Sequence, residues 1–172
     1  MPAWSPEIAN EFIRLAAADG QAFDQMQLQK LVYIAHGWAL AMTGEPLTGD
    51  RPEAWDFGPM YRRLADALAG YGRHPVTRII PSGAALSSEV RTENDRTWSE
   101  LEPMECELIA RIAKDYGVFS SSQLSALTRG DDAPWASVFG AGEGRFRDIP
   151  HALIRDQFVR LAQRTSDDQD HT

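Results

Sequence analysis

The sequence predicts a mainly α-helical fold: a compact single-domain bundle around one central apolar helix, with a small β-hairpin or short strands beside it. Three observations lead there. Apolar residues recur at three-and-four spacing through most of the chain. Period-two alternation is confined to short runs, Glu53 to Phe57 and the neighbourhood of Val76 and Ile79-Ile80. The length, 172 residues with 43% hydrophobic and 24% charged, suits one domain able to bury a core without disulfides or metal.

The first helix is expected after Ser5-Pro6-Glu7, read as an N-cap, a proline in the first turn and an acidic residue favoured by the helix dipole. It carries Ile8, Phe12, Leu15 and Ala16 on one side and closes at Asp19-Gly20. A tight junction through Phe23 then makes it the antiparallel neighbour of the central helix. That helix is capped by Asp24 and stopped by Gly44, with Leu28, Leu31, Ile34, Ala35, Trp38 and Met42 on its apolar stripe and Tyr33 and Leu40 widening it. Turns at Glu45-Pro46-Leu47 and Asp50-Arg51-Pro52 lead to a short strand or arm, and Gly58-Pro59 breaks it. Proline at a first helical position then suits a helix from Pro59 toward Tyr71.

Residues 81–99 are small and polar and read as a long loop, with room for a short helix. Helices resume with Met104, Leu108, Ile109, Ile112 and Tyr116 at helical spacing. Ser120 caps the next, which turns Leu124 and Leu127 inward, and Pro134-Trp135 starts a further turn through Val138 and Phe139. A loop from Gly140 to Arg147 precedes a last helix using Leu153, Ile154, Phe158 and Leu161. Residues 1–164 form the domain, and 165–172 are expected to be a disordered acidic tail.

Residues quoted in order resemble a known family. Leu28, Lys30, Leu31, Tyr33, His36-Gly37-Trp38, Gly44, Trp55, Gly58-Pro59 and, later, Pro134-Trp135 are similar to the signature of the Panacea domain, the SocA-like antitoxin and phage-associated family. Arg129 stands where that family tends to have histidine. The resemblance implies an antitoxin of a type II-like toxin–antitoxin system, neutralising a co-encoded toxin by direct binding. It also implies an alternative, a proteolytic adaptor that delivers the toxin to a bacterial AAA+ protease.

Charge and motif content bear on the same question. A net charge of −8 opposes unaided attraction to nucleic acid or an anionic membrane. Between Tyr61 and Ile80, however, four arginines (Arg62, Arg63, Arg73, Arg78) face only Asp66, a local surplus suited to an acidic partner or simply to a solvated face. The four histidines lie in unrelated segments without metal-ligand spacing, and Cys106 stands alone, read as a buried helical thiol. Gly140 to Gly144 lacks the strand and the Gly-Lys-Ser/Thr of a phosphate loop. These readings give no catalytic residue, no metal and no cofactor. A hydrolase or nucleotide-binding enzyme is the rival of different class.

The chain shows no secretory leader and no apolar run approaching the ~18 residues of a membrane span, so a cytoplasmic protein is expected. Candidate partner contacts are Trp55, Phe57, Tyr61, Arg62 and Arg63, because aromatic residues and arginine dominate interface energetics. Specificity is expected in the segments 73–99 and 140–147. Lys30, one of two lysines, is expected to snorkel past the stripe or to pair with Glu53 or Asp56.

Overall fold

A computed structural model describes residues 2–82 and 100–169. Asp24 caps α2 (Gln25–Thr43) by accepting the Gln27 N–H at 2.8 Å, and Gly44, in the left-handed conformation, ends it. Between these signals the helix is buried almost all round, with Leu28, Leu31, Val32, Ile34, Ala35, Ala39 and Leu40 in the core. Such a helix needs neighbours on every side. α1 (Ser5–Ala18), α4 (Pro103–Tyr116), α5 (Ser121–Thr128) and α7 (His151–Gln169) supply them.

The most extensive helix contact is between α2 and α7. Gly37 faces the Phe158 ring so closely that a β-carbon at this position would overlap it. Phe158 in turn meets Trp38 edge-on at 5.4 Å and Tyr33 at 6.3 Å. A glycine in mid-helix costs stability, and here the packing of two helices on one aromatic ring accounts for it.

Beside the bundle, β1 (Glu53–Trp55) and β2 (Gly58–Met60) form an antiparallel hairpin with Ala54 opposite Pro59. Its outer edge is covered by the backbone at the end of the Gly140–Arg147 loop and just beyond it. Phe146 N–H donates to Ala54 O (2.7 Å), Ala54 N–H to Arg147 O (2.9 Å) and Ile149 N–H to Pro52 O (2.8 Å). β2 leads into α3 (Arg62–Leu68) and a 3-10 turn, Ala69–Tyr71. α6 (Pro134–Phe139) packs against β1 and α7.

Several expectations are corrected. Trp4, not Ser5, is the N-cap of α1, and both the backbone N–H and the hydroxyl of Ser5 donate to Asp50 (2.7 and 2.5 Å). Pro59 lies in β2 and the helix starts at Arg62, because the Pro59 carbonyl is engaged by a buried lysine. Val76 makes only an isolated bridge to Phe23, and the Asn10 side chain brackets the Ile80 backbone where a strand partner would sit. Met42 and Leu127, expected inward, are exposed, since each lines an open hollow beside α7 that no described residue fills. Cys106 is only partly buried. α7 continues through Gln169, so residues 165–169 of the expected tail are helical, with Thr165 and Ser166 hydroxyls returned to carbonyls four residues back. The expected loop or short helix of residues 83–99 lies outside the described residues.

Candidate functional site

The central helix buries three polar side chains, Gln29, Lys30 and His36, where an apolar stripe alone would suffice, and each of them holds the hairpin or the turn leading into it. The Gln29 amide clasps the Tyr61 backbone from both sides, Nε2–H donating to Tyr61 O (3.0 Å) and Oε1 accepting Tyr61 N–H (2.8 Å). One turn's neighbour away, Lys30 Nζ donates to Pro59 O at 2.8 Å and touches Met60 Sδ at 3.7 Å. His36 Nδ1 accepts the Thr48 N–H at 3.3 Å, and Thr48 Oγ1 lies 3.3 Å from the Tyr61 hydroxyl. Because a backbone N–H points at Nδ1, the neutral ring carries its proton on Nε2.

Burial sets the electrostatics of this seam. Lys30 is fully buried and has no carboxylate partner among the described residues; desolvation first, and then the Arg129 guanidinium, pull its pKa from 10.5 down to about 7. The expected pairing is absent because Glu53 and Asp56 are taken by Arg62 and Arg145. Gly58, at φ +107°, brings its backbone against the ammonium: a β-carbon there would stand 3.1 Å from Lys30 Nζ and 3.2 Å from Thr128 Oγ1. His36 is pushed down to about 3 by burial and by His151, whose ring centroid is 4.9 Å away. This histidine pair went unforeseen, since the two residues lie at opposite ends of the chain and share no spacing motif.

The hairpin so fixed presents its turn outward. Phe57 is 64% exposed. Trp55 is half-buried; Trp135 Nε1–H donates to its carbonyl (2.6 Å), its own Nε1–H donates to Glu53 (2.7 Å), and the Arg62 guanidinium lies 5.2 Å from its ring centre. Phe146 packs edge-on against Trp55 at 5.4 Å and is itself 52% exposed. Sequence reading missed Phe146, whose place depends on backbone pairing with β1.

Two of the candidate contacts sit elsewhere. Tyr61 is 0% exposed, held by Gln29 and Thr48, and has no surface to offer a partner. Arg63 lies over the Trp4 ring, 3.2 Å from its centre, and belongs to the α1 end of the molecule. Two of the four surplus arginines are absorbed in space: Arg62 pairs with Glu53, and Arg62 and Arg63, with Arg51, share a hollow of about 420 Å³ with Asp50, Glu53, Asp66 and Asp148.

Among the described residues no group of three or more His, Cys, Asp or Glu side chains is placed to hold a metal ion, and no helix is long and apolar enough to cross a membrane.

A family model, "Antitoxin SocA-like, Panacea domain", matches residues 28–136. The chain belongs to that family. The matched span contains α2 from Leu28 onward, the hairpin, α5 and the Trp135 that braces Trp55, so the clamp that Gln29, Lys30 and His36 make on the hairpin and its approach lies within the family domain. A curated relative, Antitoxin SocA of Caulobacter vibrioides (strain NA1000 / CB15N), is 29% identical over 155 residues, 88% of this chain and 80% of its own length. No solved structure matches the chain.

Proposed function

We propose that this chain is an antitoxin that neutralises a protein toxin by direct contact, and that the contact is centred on the hairpin turn. The observation that carries the reading is Phe57. A large aromatic side chain left exposed at the tip of a hairpin gains nothing for the fold, yet three buried polar residues of α2 hold that hairpin in place. Rigidly presented aromatic anchors are what binding energy concentrates on, because little conformational freedom is lost on docking. Occlusion follows: the ridge covers a functional surface of the toxin, and a folded domain needs no catalytic group to do this.

The relative's name supports an antitoxin role, and the clamp's position within the family domain supports the hairpin as the shared presenting element. Trp55, with Arg62 over its ring, completes the proposed contact, and buried Tyr61 supports the hairpin from behind.

Co-expression with the product of the adjacent gene, with growth as readout, tests this. The expected result is that the neighbour's product is toxic alone, harmless with this chain, and toxic again with Phe57→Ala, while the variant's thermal melting stays within a degree or two of wild type. Steady toxin level in the rescued cells marks occlusion; disappearance of the toxin marks the adaptor route. Full rescue by Phe57→Ala at reduced expression refutes the hairpin contact.

A further inference from the structure

Phe146 is the one non-glycine residue with positive φ among the described residues, at +68°. A bulky side chain in the left-handed region is strained, and such strain persists only where the surroundings over-determine it. Here the N–H of Phe146 and the carbonyl of Arg147 are both locked to Ala54 of β1 (2.7 and 2.9 Å). The result is a phenyl ring held outward, edge-on to Trp55, with the Arg62 guanidinium 5.8 Å from its centre. On the other side of the same loop Arg145 pairs with Asp56, which precedes Phe57. Two segments far apart in sequence thus build one surface.

We propose that Trp55, Phe57 and Phe146 form a single aromatic anchor that seats in an apolar recess on a positively charged protein partner; the proposal rests on the antitoxin reading above and names the chemistry of its partner. The ridge is electrically closed. Arg62 is matched by Glu53 and Arg145 by Asp56, so covering the rings strands no lone charge. What remains is the field of the whole chain, −8, which attracts a basic partner over a Debye length and repels a second copy of itself.

Phe146→Gly separates strain from binding. Glycine accepts φ +68° without penalty, so melting temperature is expected to hold or rise, while affinity for the co-expressed product of the adjacent gene, measured by calorimetry or surface plasmon resonance, falls at least tenfold. Phe146→Asn, which also tolerates that conformation, is expected to do the same. The association rate of the wild-type pair is expected to fall as ionic strength rises. Wild-type affinity in both variants overturns the joint anchor while leaving the antitoxin reading intact. An association rate that climbs with salt, or self-association of this chain through the ridge, overturns the basic partner. Absence of any complex with the wild-type chain overturns both proposals.

Discussion

Replacing Lys30 with methionine is expected to stabilise the protein at neutral and acidic pH, although it removes a hydrogen bond from the core. The ammonium is fully buried, without a carboxylate among the described residues, and its pKa falls from 10.5 to about 7. At about 1.4 kcal/mol per unit, keeping it charged below pH 7 costs the fold about 5 kcal/mol relative to the unfolded chain. Methionine follows the same path without charge but leaves the Pro59 carbonyl unpaired, a loss of about 1–3 kcal/mol. The net gain for Lys30→Met is therefore about 2–4 kcal/mol near pH 6.

The sign with pH is fixed by proton counts. Between about 7 and 10.5 the unfolded chain holds the lysine proton and the folded chain does not, so wild-type stability rises with pH across that window. In Lys30→Met this contribution is absent, and by pH 10 the two proteins should converge or cross. Urea denaturation followed by tryptophan fluorescence at pH 6, 8 and 10 reads it directly. A variant several kcal/mol less stable at pH 6, or one with the wild-type slope, refutes the reasoning. The variant's partner affinity should nonetheless fall, because the hydrogen bond it loses positions β2.

His36 acts on the acid side. With its pKa lowered to about 3, it contributes stability that is fully present above pH 6.5 and is lost as pH falls toward 3, at most about 5 kcal/mol. His36→Asn, which keeps an acceptor for the Thr48 N–H but does not titrate, should flatten the acid limb of a melting-temperature profile; an unchanged limb would count against the buried neutral ring. Gly37→Ala should force α2 and α7 apart at Phe158, costing about 1–3 kcal/mol, a melting temperature drop of several degrees, and Phe158→Leu should recover part of it.

The legible parts of the fold are those written in local chemistry. The cap at Asp24, the stop at Gly44 and the apolar density between them place α2 to within a residue, and Ser120 and Pro134 do the same for α5 and α6. The hairpin was half legible: alternation marks Glu53 to Trp55, but Pro59 reads as a helix start until the Lys30 bond to its carbonyl is seen. Met42 and Leu127 fit the periodic stripe and are exposed all the same, because period reports the face of a helix and not what covers it. Of the proposed contact, Trp55, Phe57 and Arg62 could be named as candidates from the sequence. Phe146 and the His36–His151 pair could not, since each depends on a tertiary approach that no spacing encodes.

The role of Tyr61 shows the same division. An aromatic residue beside two arginines looks like an interface, whereas its backbone is claimed by Gln29 and its hydroxyl by Thr48. Polar residues on an apolar central helix were the available signal. Gln29, Lys30 and His36 are expensive to bury, and that expense is explained by the fixed position of the hairpin they hold.

Hydrogen–deuterium exchange on this chain, alone and with the product of the adjacent gene, tests the hairpin surface most directly. Protection on complex formation concentrated in residues 53–61 and 142–148, with α1 and α4 unchanged, is the predicted result. Protection confined to the α1 and α4 face, with the hairpin exchanging as it does in the free protein, would contradict it.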